Sequence, residues 1–188
     1  MEQLDVVRFA VETCDRLGLK YAVVGSYASS IYGEGRFTQD LDLLVDLPLD
    51  RVIEFCNQFP PDEWYVSEEA AIEAVRRRRM FIILHSRSAN KIDVMIPSDT
   101  EWGRGQLDRR MLSGLLPDYP VYTAHPDDVI LSKLRYYKQG ESDKHLRDIV
   151  GMLKNSADLI DRDNVARWAE KLKVLDVWEI VLQRIASP

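Results

Sequence analysis

The chain has 188 residues, 46% of them apolar, and a formal net charge of −6. That length suits one compact domain, or a catalytic core with a closely packed helical extension, and the composition excludes collagen-like and disordered chains. The acidic balance argues against a surface coated for nonspecific nucleic-acid binding, and no apolar run reaches the about 18 residues of a membrane span.

The N-terminal stretch MEQLDVVRFAVETCDRLGL carries acids, and its apolar residues recur at helical spacing. It predicts an amphipathic helix over 4–18 with Gly18 as its stop, not a signal peptide, so a cytoplasmic protein is expected. Tyr21 to Val24 reads as a short strand closed by Gly25. A short helix over 26–32 follows, then a loop through Gly33, Gly35 and Thr38. Leu41 to Val45 is a second strand, entered through Asp40. Helices are predicted over 49–59, ended by Pro60-Pro61, and over 67–77, with Ser67 and Glu69 at its start. Met80 to His85 and Lys91 to Ile96 form a hairpin around a polar Ser-Arg-Ser-Ala-Asn connection. Val121 to Thr123 adds a short edge strand. From Pro126 onward the pattern is helical, over 126–138, 142–154, 162–172 and 174–185, with Gly140 breaking the first from the second. The layout is an α/β (α+β) half over 1–123 and a helical C-terminal half over 124–188.

Cys14 and Cys56 both fall in amphipathic helical patterns and outside any CxxC pair, so two buried, reduced thiols are expected. His85, His125 and His145 share no metal-ligand spacing. His125, just before Pro126, reads as a local cap. Trp168 and Trp178 read as packing residues of the terminal helices, and Tyr136 and Tyr137, on the helix of Lys133, as packing between helices, with stacking on a nucleobase as the alternative.

The chemistry-bearing residues lie in VVGSYASSIYGEGRFTQDLDLLVD and KIDVMIP. A glycine at the end of a strand lets the backbone approach a ligand closely, and a helix opening at Ser26 presents free amides and the positive end of its dipole to a phosphate. Alone, Gly25-Ser26 is ordinary turn and cap chemistry. Asp40 and Asp42 stand two apart at the start of a strand, so both side chains share one face. Two carboxylates there repel each other unless a cation lies between them, and magnesium favours such oxygens while keeping waters for phosphates to replace. Asp93 interrupts an apolar strand, where an unpartnered charge is costly. Ile92, Val94 and Ile96 would face the core, with Asp93 and Met95 on the other side. Three carboxylates from two neighbouring strands can bind two cations and steer phosphoryl chemistry.

Gly25-Ser26, a short helix, Arg36-x-Thr38-x-Asp40-x-Asp42 and an isolated Asp93 on a later strand resemble the polymerase-beta-type nucleotidyltransferase superfamily. Within it the chain looks most like the minimal bacterial nucleotidyltransferases, including AbiEii-type toxins of toxin–antitoxin systems. The resemblance implies a mixed sheet flanked by helices and followed by a C-terminal helical bundle. It implies that Gly25, Ser26, Arg36 and Thr38 contact a nucleoside triphosphate. Asp40 and Asp42 would hold magnesium, with two ions expected, and Asp93 would complete the second metal position and help deprotonate the acceptor hydroxyl. The segment HPDDVILSKLRYYKQGESDKHLRDIVGML offers Lys133 for phosphate or the leaving pyrophosphate, and Asp148 in the next helix. Taken alone, Lys133 fits a snorkelling surface lysine equally well, and Arg36 and Asp148 fit simple charge pairs.

The expected activity is transfer of a nucleoside monophosphate from a nucleoside triphosphate such as ATP to a hydroxyl on a transfer RNA, a protein or a small molecule. The run Arg76 to Arg79 keeps an RNA contact open, since phosphate binding needs only a local patch. The competing reading is a nucleotide-binding module with little turnover, such as one component of a toxin–antitoxin pair, with an antitoxin as partner.

Overall fold

A computed structural model describes residues 2–35, 38–88 and 90–186. Two compact units emerge: one takes residues 2–24 and 38–124, the other 25–35 and 125–186.

In the first unit, α1 (Gln3–Arg16) buries Val6, Val7, Ala10, Val11 and Cys14 along one stripe. Its end is set by Gly18, whose φ of 62° is the left-handed conformation that glycine adopts without a Cβ clash. The chain then enters β1 (Tyr21–Val23). Next within this unit come β2 (Asp40–Val45), a 3₁₀ turn (Leu49–Arg51) running into the short α3 (Val52–Cys56), and β3 (Trp64–Val66). Helix α4 (Glu68–Arg77) starts where the Ser67 hydroxyl accepts from the Ala70 amide. The hairpin β4 (Met80–His85) and β5 (Lys91–Met95) follows, then α5 (Glu101–Gly105), β6 (Met111–Leu116) and β7 (Tyr119–Thr123).

All seven strands form one mixed sheet in the order β3-β4-β5-β2-β1-β7-β6. Strand β2 runs antiparallel to β1 and parallel to β5, and β1 is parallel to β7. The hairpin falls where the sequence places it. The strand at Val121 is not the edge: β6 pairs outside it, with Ser113 opposite Val121. One sheet face carries the core. Phe81, Ile83, Ile92, Val94, Leu41 and Leu43 all lie on it, each at most 3% exposed. Phe9, Phe55, Phe59 and Trp64 form an aromatic cluster, with Phe9 stacked on Trp64 at 5.3 Å and Phe55 edge-on to Phe81 at 6.2 Å.

The second unit contains α2 (Gly25–Tyr32), α6 (Pro126–Gly140), α7 (Asp143–Asn155), α8 (Arg162–Lys171) and α9 (Leu175–Ala186). Helix α6 packs against each of the other four. His125 caps it, its Nδ1 accepting from the Asp127 amide at 3.3 Å. The break after α6 is made at Glu141, held at φ 49°, one residue beyond Gly140. Among the described residues no helix is long and apolar enough to cross a membrane.

Both cysteines are buried and free. Burial pushes the Cys14 thiol up to about 12 and that of Cys56 up to about 11. The thiolate is the reactive form, so both thiols are expected to be unreactive in the folded protein. A chromogenic disulfide reagent at pH 8 should find no reactive thiol in the native chain and both cysteines after denaturation; rapid native labelling of either would contradict their placement.

Candidate active site

On the sheet face opposite the core, β2 and β5 run side by side in a parallel register that pairs Asp40 with Lys91 and Asp42 with Asp93. Directly paired residues on adjacent strands share a face, and alternate residues along one strand do too. Asp40, Asp42, Lys91 and Asp93 therefore occupy the corners of one small quadrilateral. Leu41, Leu43, Ile92 and Val94 point the other way and anchor both strands in the core. Asp93 lies on an inner strand flanked by β4 and β2.

Lys91 is the member that sequence reasoning missed. Its ammonium lies 3.0 Å from Asp93 Oδ2 and 3.3 Å from Asp40 Oδ2. The signal was present in KIDVMIP, since Lys91 stands two residues before Asp93 and period-two alternation puts both on one face. Burial acts to lower the Lys91 pKa, but hydrogen bonds and charge from Asp93 and then Asp40 outweigh it, so the net direction is up. Asp93 is only 8% exposed. Its Oδ1 is buried and meets no hydrogen-bond donor among the described residues. An unmatched carboxylate oxygen in that position is costly and suits a cation or a water as its partner. Among the described residues, no three His, Cys, Asp or Glu side chains converge tightly enough to hold a metal ion without rearrangement. The cation between Asp40 and Asp93 in this arrangement is Lys91 itself. Thr38 donates its hydroxyl to the Asp40 carbonyl at 3.4 Å, steadying the entry to β2.

The strand on the other side of β5 has a different character. Ile82 pairs with Asp93 and Leu84 with Lys91. Met80, Ile82 and Leu84 alternate onto the face of the acids and are 43%, 44% and 39% exposed. Tyr65, paired with Leu84, extends this apolar strip at 64% exposure. The acids therefore stand beside an uncovered apolar shelf.

The other predicted residues belong to the second unit. Gly25 opens α2 with φ 60°, a conformation an L side chain enters only at a cost of about 1–2 kcal/mol. Ser26 occupies the first turn, where its carbonyl accepts from Ser29 Oγ at 3.1 Å and Ser30 Oγ at 2.9 Å. Arg36 lies outside the described residues. Lys133 does not snorkel. It is 3% exposed, because α6 is enclosed by α2, α7, α8 and α9, and its Nζ lies 2.6 Å from Asp148 Oδ2 on α7. Asp148 also lines a cavity of about 370 Å³ with Glu34, Gly35, Lys144 and Arg147.

Beside that cavity, Gly33 carries the close approach of α2 to α7. A Cβ added there would meet the Met152 nitrogen at 2.9 Å, the Ser29 carbonyl oxygen at 3.0 Å and the Gly151 carbonyl carbon at 3.1 Å. All three are backbone atoms, so a helix must move. Gly33→Ala is expected to destabilise by about 1–3 kcal/mol in urea unfolding. Gly140→Ala, with open space around it, should be neutral or slightly stabilising. Equal effects of the two would contradict this packing.

The chain's mixed seven-stranded sheet with its helices has the nucleotidyltransferase fold, as its likeness to solved structures shows. Similar solved structures include the antibiotic-resistance factor ANT(2'')-Ia in solution, with a TM-score of 0.57 and 14% identity over 94% of this chain and 96% of that one. An antigenic nucleotidyltransferase-like protein from Paracoccidioides brasiliensis matches with a TM-score of 0.54 and 19% identity, covering 93% of this chain and 92% of its own. The lincosamide antibiotic adenylyltransferase LnuA, bound to lincomycin, matches with a TM-score of 0.54 and 10% identity over 78% of this chain and 93% of that one. No protein-family model matches this sequence, and no curated protein sequence does.

Proposed function

We propose that the chain is a magnesium-dependent nucleotidyltransferase, moving a nucleoside monophosphate from a nucleoside triphosphate to an acceptor hydroxyl. The observation that carries this reading is the pairing of Asp42 with Asp93 on adjacent parallel strands, with Asp40 on the same face and Asp93 Oδ1 buried without a donor among the described residues. That donor set is all carboxylate oxygen, which suits a hard cation. Two magnesium ions, when bound, would offset charge on the attacking and leaving oxygens of an in-line displacement at the α-phosphorus.

The chain's own residues have distinct tasks in this scheme. Asp40 and Asp42 supply ligands at the mouth of β2. Asp93 supplies a further ligand and draws the proton from the acceptor hydroxyl. By the resemblance to nucleotidyltransferases, Gly25, Ser26 and Thr38 would contact the triphosphate, as would Arg36, which lies outside the described residues. Lys133, fixed by Asp148, would meet phosphate or pyrophosphate charge.

For the acceptor, the apolar shelf favours a small hydroxyl-bearing molecule with an apolar face over a transfer RNA. Nucleic-acid backbones are held mainly by lysine and arginine, whereas Ile82 and Leu84 stand directly beside Asp93 and Lys91. ANT(2'')-Ia and LnuA, which share the fold, are an antibiotic-resistance factor and an antibiotic adenylyltransferase. The test supplies magnesium and each labelled nucleoside triphosphate to the protein alone, to the protein with total transfer RNA, and to the protein with a panel of hydroxylated small molecules. Label is expected on a small molecule and is expected to vanish in the Asp40→Asn, Asp42→Asn double variant. Label that persists in that variant would refute the site.

A further inference from the structure

We propose that Lys91 is a built-in competitor for the divalent cation, its ammonium neutralising Asp40 and Asp93 and having to swing away before a metal ion can be held there. The inference deepens the reading above and rests on it.

Three carboxylates and one ammonium share the quadrilateral formed by β2 and β5. The ammonium is not spread evenly among them. It contacts Asp93, whose side chain is 11% exposed, and Asp40, whose side chain is 49% exposed. From the other neighbouring strand Lys91 faces Leu84, which offers no charge. On this face its ammonium can therefore meet the carboxylates, of which it touches Asp93 and Asp40, or solvent. The Lys91 side chain is 27% exposed, so a path outward exists, and four methylenes give the ammonium the reach to follow it.

Each arrangement satisfies a need that the other leaves open. Held inward, Lys91 compensates the buried Asp93 at one oxygen but leaves Oδ1 without a donor among the described residues. A divalent cation between Asp40, Asp42 and Asp93 would engage the acids more completely, but an ammonium at the same carboxylates would repel it. The attraction and the repulsion both act across a few ångströms in a partly dry site, where a unit charge matters far more than in water. Lys91 therefore weakens metal affinity and stabilises the fold before metal arrives. A merely structural lysine would do only the second.

The experiment compares wild type, Lys91→Met, Lys91→Arg and Asp42→Asn by Mn²⁺ titration in a calorimeter and by thermal unfolding in EDTA. Lys91→Met should bind Mn²⁺ at least about tenfold more tightly and unfold at a lower temperature in EDTA. Lys91→Arg keeps the charge and should stay near wild type in both. Asp42→Asn should lose the binding. If Asp42→Asn loses Mn²⁺ binding but Lys91→Met binds no more tightly than wild type, the site stands and the competitor role falls. Lys91→Met unfolding in EDTA at or above the wild-type temperature would overturn the neutralising role. Mn²⁺ binding undiminished in Asp42→Asn would overturn both the site and the competitor.

Discussion

Asp93→Asn is expected to reduce nucleotidyl transfer by more than about 100-fold, beyond the 10- to 100-fold typical of changes behind the ligand shell. The substitution keeps the side-chain shape and removes the charge. Asp93 lies opposite Asp42 on the inner strand β5 and carries the most enclosed carboxylate of the set. Its neighbours on β4 and β5 cannot replace it: across β4 the paired residue is Ile82, and along β5 it is Lys91, of the wrong sign, while Asp42 across β2 is already assigned to the metal. Single-turnover transfer from a labelled nucleoside triphosphate measures the loss, and circular dichroism checks that the sheet survives. A loss below about tenfold, with the fold intact, would remove Asp93 from the ligand and base roles assigned to it.

Breaking the Lys133–Asp148 pair should have the largest effect on stability. The two side chains are 4% and 10% exposed, and their charged atoms lie 2.6 Å apart. Removing one partner leaves the other's charge less well compensated in a largely buried position, and losing a buried pair in this way costs about 3–5 kcal/mol. Asp148→Ala and Lys133→Met are each expected to show that loss in urea unfolding. Replacing both, as Lys133→Met with Asp148→Leu, should recover most of it, because a buried pair is often worth no more than apolar packing of similar volume. Additive losses in the double variant would contradict the pairing. The same variants separate stability from chemistry. If Lys133 meets phosphate charge, the restabilised double variant remains defective in transfer.

The acids were legible because strand alternation is strict. Asp40 and Asp42 two apart, and Asp93 alone among Ile92, Val94 and Ile96, allow only one shared face once the strands are neighbours. Lys91 obeys the same alternation, yet an isolated lysine at a strand start reads as a solvated end. Only the pairing with Asp40 reveals its second role. Strand β3 has three residues, and β6 contains Ser113 and Gly114, which blur its alternation, so neither announced itself. Helix α5, with glycines at 103 and 105, is held by the Thr100 hydroxyl accepting from the Gly103 amide at 3.0 Å, not by propensity.

The helical half showed a similar division. Amphipathic periodicity located α6 to α9 closely, but it could not show that α2 joins their unit. Helix α2 packs on both α6 and α7, and Gly33, which lies against the α7 backbone, reads in sequence only as a loop residue. The burial of Lys133 was hidden for a related reason. A lysine snorkels from a helix with one open side, and α6 is enclosed by four others.

The most direct test of the central claim is equilibrium binding of a nonhydrolysable nucleoside triphosphate with magnesium, measured by calorimetry on wild type and on the Asp40→Asn, Asp42→Asn variant. The account predicts saturable binding that requires magnesium in the wild type and none in the variant. Equal binding by both proteins, or binding unchanged by EDTA, would contradict it.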